Sequence, residues 1–253
     1  MKARGFTLIE LVIVLVLIGI SAIFSTRFIA DMAAGYVGTA ERGQALAGAR
    51  FTMERLRREL AVAYGPSVYI TNIVDDEHCI YFVPALAAGT YLGSVKTGAA
   101  TFVVPLSLQG ESIKNNIMAI RADSGAVWSS YPEALPAEIY KLEKEPTSTS
   151  FTFSNVFNDP DDVNFSREGY GQRYTLLTPE QVRYCLRNGG LEREIKTLDK
   201  DWRKSSLMMT GITGDKVFMG YDESNQLIQL ELVLNTRDGD LVLPGQLQVT
   251  YAP

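Results

Sequence analysis

The chain has 253 residues, of which 46% are apolar and 21% charged, the composition of a folded protein large enough for one big domain or two small ones. Its 24 basic and 29 acidic side chains give a formal net charge of -5, which argues against nucleic acid as a partner of the body. Two cysteines, one histidine and no CxxC spacing argue against a structural metal centre.

Residues 1–26 read MKARGFTLIELVIVLVLIGISAIFST, and from Phe6 onward only Glu10 carries a charge. As a helix, residues 6–24 would extend about 28 Å, close to the thickness of a bilayer's hydrocarbon core. A secretory signal peptide is cut after its apolar stretch, whereas here the distinctive residues precede it. Lys2 and Arg4 predict that residues 1–5 stay in the cytoplasm and that the chain after Arg27 is carried across.

Glu10 needs a cause, because an acid at the centre of a membrane helix costs about 2.5–3.5 kcal/mol and an interfacial one still wants a partner. Cleavage after Gly5 would create an amino group on Phe6, about 6 Å of helix from Glu10. The two charges then neutralise each other within one chain, or the amine of one subunit meets Glu10 of its neighbour. Removal of Lys2 and Arg4 leaves 22 basic against 29 acidic residues, a charge of -7.

The run Gly5-Phe6-Thr7-Leu8-Ile9-Glu10-Leu11 resembles the type IV prepilin motif. The resemblance implies a prepilin peptidase cutting between Gly5 and Phe6, methylation of the new N-terminus at Phe6, and a subunit-assembly role for Glu10. It implies as partners the membrane, other pilin subunits through their N-terminal helices, and the inner-membrane pilus assembly machinery. It further implies a single-pass inner-membrane precursor with a periplasmic body, later built into a pilus or pseudopilus.

No proline occurs from Phe6 to Gly65-Pro66, so residues 6–64 are expected to form one helix about 88 Å long. Leu46, Ala49, Met53, Leu56 and Leu60 recur at spacings of three and four, an apolar stripe expected to lie on the protein's own sheet. Gly35, Gly38, Gly43 and Gly48 weaken the helix between its two halves. Many pilins place a proline just past the membrane core, and this chain has none.

After Pro66, short apolar runs separated by turn residues predict strands at 79–83, 101–106, 117–121, 151–157, 174–177, 182–187, 191–195, 216–221, 227–234 and 247–251. Asn188-Gly189 is the clearest hairpin signal. The expected fold is α+β and pilin-like: a long N-terminal helix, transmembrane in its first half, on an antiparallel sheet domain with an elaborated insertion over 85–172. The expected divisions are a cleaved leader 1–5, a transmembrane half 6–26, an amphipathic half 27–64 and a β-rich body 65–253.

Residues 182–186, 190–193, 217–218 and 227–234 resemble the larger minor pilins and pseudopilins of the PulJ, PilW and MshO kind. The ending Gln248-Val249-Thr250-Tyr251-Ala252-Pro253 and the cysteine placement resemble most the MshO-like subunits of mannose-sensitive haemagglutinin pili. In an oxidising compartment Cys79 and Cys185 form one disulfide, or else remain two buried thiols.

His78 beside Asp75, Asp76 and Glu77 lacks any nucleophile motif and reads as a residue at the start of a strand. The segment 158–164 concentrates oxygen ligands but lacks EF-hand spacing and reads as a polar turn. The aromatics Trp128, Tyr131, Tyr140, Phe151, Phe153, Phe157 and Tyr170 read mostly as core. The function expected is a non-enzymatic minor pilin without cofactor, in a type IV pilus used for surface attachment. The alternatives are a minor pseudopilin of a type II secretion system and, in another class, an anchored periplasmic enzyme or binding protein.

Overall fold

A computed structural model describes residues 7–71, 77–123, 128, 131, 138–146, 148–197, 201–237 and 239–250. One helix, α1 (Leu8–Ala61), precedes everything else, and it runs unbroken through Gly35, Gly38, Gly43 and Gly48. It ends three residues before the expected boundary, where the Val62 amide turns back to the Glu59 and Leu60 carbonyls, and a 3-10 turn at Gly65–Ser67 follows.

In chain order the strands are β1 (Tyr69–Ile70), β2 (His78–Phe82), β3 (Ala85–Leu92), β4 (Thr101–Val103), β5 (Ile117–Ala119), β6 (Ile139–Lys141) and β7 (Ser150–Thr152). After a short helix α2 (Phe153–Val156) come β8 (Arg173–Leu177), β9 (Glu180–Arg187), β10 (Gly190–Thr197), β11 (Arg203–Thr210), β12 (Phe218–Asp222), β13 (Leu227–Leu234) and β14 (Leu241–Gln248). They form a five-stranded sheet ordered β1-β2-β9-β10-β11, a three-stranded sheet β12-β13-β14 and a six-stranded sheet β6-β5-β8-β3-β4-β7. Every described pairing is antiparallel. The long helix on antiparallel sheets is the α+β, pilin-like layout expected, and the elaboration over 85–172 contributes five of the six strands of the third sheet.

Three expected strands change shape. The run 151–157 is strand only to Thr152, because Asn155 Oδ1 accepts from the Thr152 amide at 3.0 Å and starts α2. The run 101–106 stops at Val103, two residues before Pro105, which lacks a ladder donor. The last strand is Leu241–Gln248 rather than 247–251, with Pro244 and Gly245 inside it. That is tolerable because β14 is an edge strand. The hairpin at Asn188-Gly189 forms as expected, with φ of 48° and 71° at the two turn residues and Arg187 paired with Gly190.

The second half of α1 lies on the first two sheets. Ala49, Leu56 and Leu60 share one core with Ile80 and Phe82 of β2, Val182, Tyr184 and Leu186 of β9, Met208 and Met209 of β11, and Leu230, Leu232 and Leu247 of the three-stranded sheet. Thr52 Oγ1 donates to the Met208 carbonyl at 3.3 Å. A second core, built on Tyr91, Phe102, Phe151, Phe153, Phe165 and Tyr174, fills one face of the six-stranded sheet. A third, around Tyr64, Val83, Trp128 and Leu177, joins that sheet to the helix end. There the Ala85 amide donates to the Val62 carbonyl at 2.7 Å and the Tyr64 amide to Val83 at 2.9 Å.

Gly89 lies directly beneath the Tyr174 ring, whose hydroxyl is held by the Val103 carbonyl at 2.5 Å. A Cβ at position 89 would fall inside van der Waals contact with that ring. Gly89→Ala is therefore expected to destabilise the six-stranded sheet by about 1–3 kcal/mol, read as a lowered thermal midpoint in the near-UV tyrosine signal.

Candidate functional site

Thr7 and Glu10 set the start of α1. Thr7 adopts an extended conformation as the N-cap, and its hydroxyl accepts from the Glu10 amide at 3.4 Å, while the Leu11 amide donates to the Thr7 carbonyl. This T-x-x-E spacing is a helix-start pattern, and an acid in the first turn is favoured by the helix dipole. The Glu10 side chain is exposed and makes no ion pair with any described residue. Gly5 and Phe6 lie outside the described residues.

Beyond Glu10 the helix shows its apolar side chains to its surroundings. α1 is long and apolar enough to cross a membrane, and its most apolar stretch is not buried in the protein. Residues 8–27 extend about 30 Å, one hydrocarbon core. The apolar surface nevertheless continues past Arg27: Phe28, Ile29, Met32 and Tyr36 are 62–77% exposed. A bilayer already filled by residues 8–27 cannot cover these four side chains, and the described residues of the body leave them exposed.

The helix is clamped to the body by charge as well as by its stripe. Arg193 Nε on β10 donates to both Glu59 oxygens at 2.9 Å, and Arg55 Nε reaches the same carboxylate at 3.2 Å. Glu59 thus joins two arginines, one on its own helix and one on the sheet beneath.

On the sheet face turned away from α1, Cys79 and Cys185 sit opposite each other on β2 and β9 and are joined by a disulfide. Both are buried, and their Cα atoms are 4.1 Å apart. The expected alternative of two free thiols is thereby removed. Flanking the bridge, Arg187 binds Glu77 through Nε at 2.6 Å and a second nitrogen at 3.0 Å, and Glu194 at 2.8 and 3.1 Å. Arg183 Nε also meets Glu194, at 2.5 Å, and its guanidinium lies 4.1 Å from the Trp202 ring. The Arg187 guanidinium holds the Glu77 carboxyl below its usual range. At Glu194 burial opposes ionisation, but Arg187 and Arg183 outweigh it and the carboxyl is again lowered.

The other candidate residues do not assemble a chemical site. His78 is buried at the start of β2, its Nε2 2.8 Å from the Phe218 carbonyl. That contact requires a proton on Nε2. Asp75 and Asp76 lie outside the described residues. Among the described residues the one grouping with metal-ligand spacing is Glu77, Cys79 and Cys185, and two of these three are spent on the disulfide. The 158–164 loop is held by its backbone, Asn158 N donating to Glu143 at 2.7 Å and Asn164 N to the Tyr140 hydroxyl at 3.1 Å. Trp128, Tyr131, Phe151, Phe153 and Phe157 are core, whereas Tyr170 is 68% exposed. Sequence reasoning missed Arg121, whose guanidinium carbon lies 4.3 Å from the centre of the Tyr170 ring.

Residues 1–26 match the prokaryotic N-terminal methylation motif. Comparison with curated proteins and with solved structures finds no match to the chain. In these residues the chain is similar to type IV prepilin-like proteins, and the apolar helix that follows is long enough to cross a membrane. They point to a structural role.

Reduction of the disulfide is expected to cost about 2–4 kcal/mol, read as a lower urea midpoint of the detergent-solubilised chain with reductant than without. The carboxylates of Glu77 and Glu194, lowered in the fold, contribute stability that is complete above their unfolded values and is lost as pH falls through the folded ones. Between about pH 6 and pH 3 the wild-type midpoint should fall more steeply than that of Arg187→Gln, which lacks the guanidinium that lowers both groups.

Proposed function

We propose that the chain is a low-abundance minor pilin that joins a type IV pilus used for surface attachment and initiates or caps it. The observation that carries this reading is the apolar surface from Phe28 to Tyr36, beyond one bilayer's reach and left exposed by the described residues of the body. Helices of neighbouring subunits would cover it. In the proposed sequence, a prepilin peptidase cuts after Gly5, Phe6 becomes the methylated N-terminus, and residues 6–26 hold the precursor in the inner membrane with the body in the periplasm. The amine of Phe6 in an incoming subunit then meets Glu10 of its neighbour. Leaving lipid for the helical bundle relieves an unpaired acid, and the pairing fixes the axial register.

Bulk supports the terminal position. The six-stranded sheet adds a second core to the body, and such a load on every subunit would crowd a tightly packed shaft. A single copy at an end avoids that steric limit. The MshO-like grouping suggested by the C-terminal residues fits this placement. A minor pseudopilin of a type II secretion system has the same physical parts and belongs to the same test.

In a strain lacking the gene, restored wild-type protein should return surface pili and leave protein secretion unchanged. Restoration of secretion alone would replace the pilus with a secretion system. Glu10→Ala should be cut and membrane-inserted normally but be depleted at least about tenfold from sheared filaments, and undiminished incorporation would refute the assembly role of Glu10. Labelling of purified pili should mark ends, and even decoration of the shaft would refute capping. Mass analysis of the mature chain should find Phe6 first and singly methylated.

A further inference from the structure

The loop that enters β8 carries a group of side chains that neither folding nor assembly uses. Tyr170 presents its ring to solvent at 68% exposure, with the Arg121 guanidinium packed against it at 4.3 Å. Arg167 stands beside the same cluster, linked to it through Asp123, whose oxygens lie 3.6 Å from Arg167 and 3.7 Å from Arg121. These separations are too long for hydrogen bonds, and the buried Nε of Arg121 has no hydrogen-bond partner. Arg173 is exposed and makes no ion pair with any described residue. Its Nε lies 4.0 Å from where a Cβ on Gly171 would be, next to Tyr170. Among the described residues, Arg121 and Arg167 therefore share one carboxylate and Arg173 pairs with none, in a chain whose net charge is negative.

Two nearby described acids look elsewhere. Glu168 is turned inward, accepting from the Tyr91 and Ser94 hydroxyls at 2.8 and 2.6 Å, and Glu138 accepts from Ser166 at 3.0 Å. The backbone that shapes the patch is strained. Gly171 and Gln172 are consecutive left-handed residues at φ 60° and 53°, Gln172 being tied by its Nε2 to the Gly93 carbonyl at 3.2 Å, and Arg121 is left-handed at 49°. Non-glycine residues adopt this conformation at a cost of about 1–3 kcal/mol each and cluster where a binding loop must hold its shape.

We propose that Tyr170 with Arg121, Arg167 and Arg173 forms a binding site for a carboxylate-bearing sugar, a uronic-acid type of residue in a surface glycan. The exposed ring, packed against the Arg121 guanidinium, offers its apolar face to a sugar ring. Arginine forks suit a carboxylate and hold it in one orientation. A nucleic acid fits less well, because a duplex carries a charge about every 1.7 Å and would meet the acidic remainder of the chain on either side of so small a patch. The site requires only the folded body, so its test is independent of filament assembly.

The test is calorimetry on the full chain in detergent micelles, titrated with hexagalacturonate, with maltohexaose as the neutral control and a single-stranded hexanucleotide as the alternative anion. Hexagalacturonate should bind, with affinity falling as salt is raised, and maltohexaose should not. Tyr170→Ala and the double change Arg167→Gln with Arg173→Gln should each weaken binding about tenfold or more, while Tyr170→Phe, which keeps the ring, should bind as wild type. All four positions lie outside the described cores, and an unchanged thermal midpoint would show that the variants fold. Absence of hexagalacturonate binding, equal binding of maltohexaose, wild-type affinity in the variants, or tighter binding of the hexanucleotide would each overturn the proposal.

Discussion

The structure depends on the seam where the second half of α1 lies against two small sheets. The apolar faces of the three-stranded and five-stranded sheets share one core with the helix, which closes the space between β11 and β14. Each fully buried leucine of the stripe contributes about 1.5–3 kcal/mol, and Gly245 on β14 lets Met53 of the helix come close. The same helix must also suit lipid at its other end. One continuous element therefore passes through two solvents, and its side chains change character to match. Exposed apolar surface gives way beyond Tyr36 to a buried one-sided stripe, with Glu59 and Arg193 fixing the polar margin of that stripe to the sheet.

Much of this arrangement was legible in the residues. The spacing of Ala49, Met53, Leu56 and Leu60 identified the buried side of α1 because a helix returns to the same face every three or four residues. Asn188-Gly189 identified the β9–β10 hairpin because few other pairs accept two positive φ values in succession. Glu10 stood out because an acid is costly where every neighbour is apolar. β3 was not legible: Ala-Leu-Ala-Ala-Gly-Thr lacks alternation, and its small residues are chosen for the close approach of Tyr174 rather than for strand propensity. β11 was hidden for a different reason, since it begins Arg-Lys-Ser-Ser and reads as a solvated loop until Met208 and Met209 meet the helix. The patch around Tyr170 could not be read at all, because its residues come from separate segments and its one aromatic sits in a run that is otherwise core.

The two outer surfaces of the body divide the polar chemistry. Behind the five-stranded sheet, arginines and glutamates among the described residues pair with one another around the disulfide. Beside the six-stranded sheet, the arginines outnumber the described acids that reach them. The first pattern consolidates a fold, and the second leaves binding capacity unspent.

The junction at the end of α1 has a mechanical consequence. The six-stranded sheet is attached where Ala85 and Val62, Val83 and Tyr64, and Thr178 and Pro84 exchange hydrogen bonds, within a few residues of the helix terminus. A pull applied at the Tyr170 loop would travel along β8 and β3 to this point, where backbone hydrogen bonds tie the sheet to the helix end. Once those backbone links sheared, the load would pass into β2 and β9, which continue directly into β3 and out of β8, and the bridge between Cys79 and Cys185 would hold these two strands together.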